Sequence, residues 1–238
     1  MMRVSELAAL RLWESDPGRS PLARARAFLT EVATPEIATS AAPAAVDRLA
    51  VGTRNFRVLR AYAETFGPRV PCEVACPACD SRLELEIDVR ELIAAYREPP
   101  ESVTVRHDGR DYSARVPTDA DLGAAIEQHA GAEGLFARCA LAPAPEEWPA
   151  AAIAAIESAM AAADPLAQID LALRCPDCAH GWPAPFDALA VLYDRLAAQA
   201  QGLLLDVHRL ARAYGWREAD ILAMAPARRE HYLALLGA

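Results

Sequence analysis

The chain contains no lysine: all 24 of its basic residues are arginine, and asparagine occurs once, at Asn55. Codon usage in a GC-rich genome accounts for this bias, so no function is drawn from it. Aromatic residues are scarce, at 6%, although hydrophobic residues reach 53%. Alanine carries much of that share, which makes helix the expected majority state. No apolar run is long enough to cross a bilayer. The nearest, at 150–163, is broken by Glu157 and followed by Asp164-Pro165. A glycine-rich phosphate loop and a zinc-protease helix signature are also missing, which removes two large enzyme classes. Cationic excess is absent as well, because the formal charge is −9. A protein that neutralises nucleic-acid phosphates needs clustered positive charge, so nucleic acid is not the expected partner.

At 238 residues there is room for one large or two small domains with a genuine core. Glu6 and Arg11 interrupt what would have to be an apolar signal core, so the expectation is no secretory signal and a cytoplasmic, soluble protein. Thiols stay reduced there, and the six cysteines need another explanation than disulfides.

Hydrophobic periodicity and capping residues predict helices over 4–13, from Ser20-Pro21 onward with a stripe of Leu22, Ala25, Phe28, Leu29 and Val32, and over 53–66 with Gly67-Pro68 as stop. Residues 34–43 read as a linker. Leu83 to Val89 alternates apolar and charged residues as a half-buried strand does. Asp108-Gly109 predicts a hairpin turn between strands at 103–106 and 112–116. Thr118 and Asp121 cap a following helix, and helical segments interrupted by Pro143, Pro145 and Pro149 run to Ala163. A long helix begins near Phe186, with Gly202 as a candidate kink and Gly215 as its end, before helices at 217–224 and from Pro226.

Two Cys-x-x-Cys pairs, Cys76-Pro77-Ala78-Cys79 and Cys175-Pro176-Asp177-Cys178, carry the chemistry. Each spacing suits a knuckle, a tight turn that aims two thiolates at one ion. Four thiolates close a tetrahedral zinc site with no position open to substrate, so Cys76, Cys79, Cys175 and Cys178 are the candidate ligands of one structural zinc. The 95 residues between the pairs far exceed the about 15 to 20 of a compact ribbon, so the ribbon would be split by an inserted hairpin and helices. A redox motif is the competing reading, since Cys-x-x-Cys also serves thiol exchange. It needs one pair rather than two, and usually opens a helix. A pair of turns without metal is the third. Cys72 and Cys139 read as buried thiols, with Cys72 near enough to replace a ligand. His180 is a candidate hydrogen-bond donor to the site, or a ligand.

Elsewhere, Glu84, Glu86 and Asp88 read as a solvated strand face, and His208 and His231 as exposed or partner-facing side chains. Tyr214, Trp216 and Tyr232 read as core or docking aromatics. No Ser, Cys or Asp constellation surrounds His208 and His231 in sequence, so no enzyme is expected. The expected fold is α+β, mainly α-helical, with a small antiparallel β element holding the split zinc ribbon. Its divisions are an N-terminal helical segment (1–52), the ribbon module (53–186) and a C-terminal helical segment (187–238).

Three segments resemble a known family, the T4-like baseplate hub assembly proteins of contractile-tailed phages and contractile injection systems. They are Phe66-Gly67-Pro68-Arg69 leading through Cys76–Cys79 to Leu83–Val89, then Asp164-Pro165-Leu166-Ala167 through Leu171 to Trp182, and finally Leu203 to Leu222 with Ala227 to Leu233. In the last, His208, Tyr214, Gly215 and Trp216 fall in register. The family usually has glycine after the second cysteine of each pair, where this chain has Asp80 and Ala179. The first 52 residues carry little of the likeness. The resemblance implies a non-enzymatic chaperone or minor component of a baseplate hub, with hub proteins as partners, while charge and hydropathy add the expectation of no nucleic acid and no membrane. The alternatives are a zinc-ribbon adaptor of transcription or RNA machinery and a thiol oxidoreductase.

Overall fold

The computed structural model describes residues 2–32 and 43–237, so nearly all of the expected linker at 34–43 lies outside the described residues. Its last residue, Pro43, opens a helix. Contacts group the chain into two units, one of Ser20–Leu189 with the residues up to Arg3, the other of Val4–Arg19 with Ala190–Ala238.

In the first unit, α2 (Pro21–Glu31) starts where a serine cap and a proline place it: Ser20 Oγ accepts the Ala23 N–H at 3.3 Å. A short α3 (Pro43–Val46) precedes α4 (Val51–Phe66), which begins two residues earlier than the periodicity predicts. The reason lies far along the chain. The Asp164 carboxylate accepts the Gly52 N–H at 2.9 Å and caps the helix from outside. A Cβ at position 52 would lie 1.6 Å from Asp164 Oδ1, so only glycine permits this approach. Gly67, at φ +88°, ends the helix.

Strands β1 (Arg69–Ala75) and β2 (Arg82–Asp88) form an antiparallel hairpin in register Arg69↔Asp88 to Ala75↔Arg82. The alternation over Leu83–Ile87 is the strand expected, but Val89 leaves it: Asp88 accepts the Arg90 N–H at 2.9 Å and caps α5 (Val89–Ala94). The Asp108-Gly109 turn joins β3 (Ser102–His107) to β4 (Arg110–Arg115), with both turn residues at positive φ, as a tight hairpin requires. A three-residue β5 (Ala140–Ala142) adds to the β4 edge. Helix α6 (Asp119–Glu127) carries the expected capping box of Thr118 and Asp121, and α7 (Gly131–Cys139) follows. After a 3₁₀ turn at Pro145–Glu147, α8 (Ala150–Ala163) lays Ala152 and Ile156 against Tyr112, Ala114 and Trp148 to form a local core. Strands β6 (Asp170–Arg174) and β7 (Gly181–Pro185) make the last hairpin.

Helix α9 (Ala188–Tyr214) opens two residues after Phe186 and runs unbroken through Gly202 for 27 residues. Its stripe of Leu196, Leu203, Val207 and Leu210 is buried. In the second unit, α1 (Glu6–Glu14), capped by Ser5, sets Leu10 against Ala200 and Leu203. A short α10 (Glu218–Leu222) and α11 (Pro226–Leu236) close over Val207 and Leu210 through Ile221 and the aromatics Trp216 and Tyr232. Arg229, 4% exposed, pairs with Glu6 and lies 3.8 Å from Asp206, so an ionic cluster joins α1, α9 and α11. The observed class is α+β, mainly helical, with small antiparallel sheets. Among the described residues no helix is long and apolar enough to cross a membrane.

Candidate metal centre

The two cysteine pairs sit at the tips of two hairpins built alike. At the base of the first, the Val89 N–H donates to Pro68 O at 2.9 Å; at the base of the second, the Phe186 N–H donates to Ile169 O at 2.8 Å. At the tips the correspondence continues. The Cys76 N–H donates to Ser81 O at 2.9 Å and the Cys175 N–H to His180 O at 2.9 Å, while Asp80 and Ala179 return N–H bonds to Cys76 O and Cys175 O. Asp80 and Ala179 both stand at φ +59°, the left-handed conformation that favours glycine. The turn therefore needs that backbone shape even though this chain supplies it with a side chain.

The hairpins bring Cys76, Cys79, Cys175 and Cys178 together, their sulfurs all within 4.8 Å of one another. Across the knuckles, Cys76 Sγ lies 3.7 Å from Cys178 Sγ and Cys79 Sγ lies 3.6 Å from Cys175 Sγ. A tetrahedron with bonds of about 2.3 Å has edges near 3.8 Å, so these separations suit four thiolates around one ion. Cys76 and Cys175 are buried, each 1% exposed, while Cys79 and Cys178 face outward. Burial works to raise the Cys76 thiol, but N–H donors from Ala78 and Cys79 and its sulfur neighbours hold it down to about 7. The Ser81 N–H works to lower Cys79, yet the Cys178 thiol, burial and the remaining sulfurs push it up to about 12. Cys76 and Cys79 are thus pushed in opposite directions by their shared sulfur neighbours. The donor chemistry and spacing fit a metal ion, and these four residues could hold one.

The inserted segment is tied back to the same helix that leads into the first hairpin. Beside the Gly52–Asp164 contact, Asn55 Nδ2 donates to Leu166 O at 2.7 Å, which anchors the chain just before β6 onto α4. The chain's single asparagine and one glycine thus position the second pair. Between the knuckles, the Ser81 hydroxyl bonds to the Asp177 carboxylate. These contacts join residues about a hundred apart in sequence, and no local pattern marks them.

The other candidates fall outside the cluster. Cys72 is half-buried on β1, its thiol directed to Val70 O at 3.8 Å, and Cys139 is buried at the end of α7, where burial pushes its thiol up to about 11. His180 contributes its backbone rather than its ring: its N–H faces Cys178, and the ring stacks with Trp182 at 6.0 Å between centroids. Glu84 and Glu86 are exposed as expected, as are His208 and His231. Tyr214, Trp216 and Tyr232 contact one another, with Trp216 stacked on Tyr214 at 4.5 Å and Tyr232 edge-on to Trp216 at 4.9 Å.

Fold and site together define the class: an α+β chain whose split hairpins converge on a four-cysteine centre that could hold a metal ion. Comparison with protein-family models, curated proteins and solved structures returned no match.

Proposed function

We propose that this chain is a non-enzymatic assembly factor, a chaperone or minor component of the baseplate hub of a contractile tail or injection system, and that Cys76, Cys79, Cys175 and Cys178 hold one structural zinc. The observation that carries the metal half is the convergence of four thiols at tetrahedral spacing from hairpin tips 96 residues apart. All four positions are protein thiols, so none remains for a substrate. A bound metal would supply a cross-link, and closing so long a loop removes chain entropy from the unfolded state. Asp80, Ala179 and the tip N–H groups hold the sulfurs in place, and the bonds of Gly52 and Asn55 to Asp164 and Leu166 hold the chain just before the second hairpin to α4.

The hub half rests on the three resembling segments, of which Leu203–Leu222 is the most specific. That segment lies in the helical second unit, where Leu205 is 57% and Leu235 54% exposed, so this unit is the proposed partner surface. Negative-stain microscopy of lysates from a host lacking the gene tests it. Missing particles, or tubes and sheaths without baseplates, are expected. Normal particles overturn the hub reading and promote a zinc-ribbon adaptor. Metal analysis separates the thiol oxidoreductase: one zinc per chain is expected, whereas reversible disulfide formation without metal overturns the zinc assignment.

A further inference from the structure

A cavity of about 450 Å³ opens in the first unit, where the start of α4 meets the 98–101 loop, the start of β3 and the end of β4. Its size falls in the range that holds a peptide side chain or a small ligand, roughly 300–1,000 Å³. Leu49, Pro99, Pro100, Val116 and Leu141 supply apolar lining. Leu141 is 55% exposed, and the other large exposed hydrophobic of this unit among the described residues is Ile126. An uncovered leucine at a cavity mouth is apolar surface left available to a ligand.

The charges at the same site are unequal. Glu98 and Glu101 line the cavity, and neither has an arginine within ion-pair distance among the described residues. Arg115 also lines it but is already engaged by Asp121, whose carboxyl is held at about 2 because hydrogen bonds from Arg115 and Thr118 outweigh burial. Its guanidinium further donates to Arg138 O at 3.0 Å. Arg48 is left as the counterweight to two carboxylates. The surrounding field has the same sign. The second unit balances eight arginines with eight carboxylates, so the whole formal charge of −9 resides on the first.

We propose that this cavity binds an extended segment of a partner protein that presents an aliphatic side chain beside an arginine or lysine, the apolar lining taking the first and Glu98 and Glu101 the second. A cation beside the Glu98 and Glu101 carboxylates would form charge-assisted bonds, and the leucine and proline lining offers apolar surface to the neighbouring side chain. The inference rests on the assembly reading only in making the partner a protein. A peptide titration reads the site directly, so it fails independently of particle formation.

The test is an amide NMR titration of the zinc-loaded full chain with N-acetyl-leucyl-arginine amide and, in parallel, N-acetyl-leucyl-glutamate amide. Saturable shifts are expected around Leu49, Ser102, Val116 and Leu141 with the arginine peptide, at least about tenfold tighter than with the glutamate peptide. The Glu98→Gln/Glu101→Gln double variant should erase that preference, and Leu141→Ser should weaken both peptides, while each keeps the wild-type spectrum elsewhere. Equal responses to the two peptides, shifts confined to another surface, or no saturation by ~10 mM would each overturn the proposal.

Discussion

The two units of this chain are held by different physics. Among the described residues the first carries seven strands in three small sheets and a cluster of four thiols that joins hairpins distant in sequence, and the sequence places all of the net charge on it. The second is helical and electrically balanced, with a continuous apolar stripe along α9 covered by α1, α10 and α11. Two-stranded hairpins bury too little to stand alone in water, whereas amphipathic helices with complementary stripes bury enough locally. A metal cross-link at the four cysteines would therefore matter to the first unit and not to the second.

The largest break in that comparison is Cys175→Ser. It should abolish metal content and unfold the two hairpins, a loss above ~3 kcal/mol, while the second unit keeps its helical transition. Far-ultraviolet circular dichroism melting with metal analysis reads both, and a single common loss of structure would contradict the independence of the units. The converse is Arg229→Met, which strands Glu6 and Asp206. A fully buried pair would cost about 3–5 kcal/mol to break, and the partial exposure of these carboxylates reduces the expectation to roughly 2–3 kcal/mol. Metal content should not change. A smaller effect sharpens the site itself: Ala179→Gly should stabilise the first unit by about 1 kcal/mol, since glycine adopts φ +59° without the Cβ clash. Asp80→Gly should give less, because aspartate tolerates that conformation better. A loss of stability at 179 would mean that the turn is not left-handed.

The smallest effect is one of pH. Burial pushes the Asp206 carboxyl up from 3.8, against Arg229 and Arg209. A raised folded value means that stability is fully present below 3.8 and declines as pH rises through the folded pKa. Mild acid should thus favour the second unit, while it would work against metal binding by the proposed centre of the first, since a bound metal needs its thiols deprotonated. Melting of the second unit from neutral pH downward tests the sign, and Asp206→Asn should flatten the dependence.

Features set by neighbouring residues were legible in sequence. Ser20 with Pro21, Thr118 with Asp121, and Asp108-Gly109 each act within a few residues, and each stands where the pattern places it. The alternation of β2 was equally plain. Its partner β1, with Pro71, and strand β7, with Pro183 and Pro185, gave no such signal, because prolines usually argue against strand. In a two-stranded hairpin each strand is an edge, so a missing N–H on its open side breaks no ladder bond. Gly202 misled in the opposite direction: packing along α9 outweighs the modest helix penalty of one exposed glycine.

The cysteine spacing by itself named the four ligand candidates, because a Cys-x-x-Cys turn and its thiols are local chemistry. Composition likewise set the helical majority and the acidic charge. Tertiary structure alone decided that the two tips face each other with sulfurs 3.6 and 3.7 Å apart, that a carboxylate at 164 caps a helix beginning at 51, and that α1 packs with the helices at the other end of the chain. Those pairings depend on which distant surfaces exclude water and satisfy buried polar groups together, a property of the folded whole that no window of sequence contains.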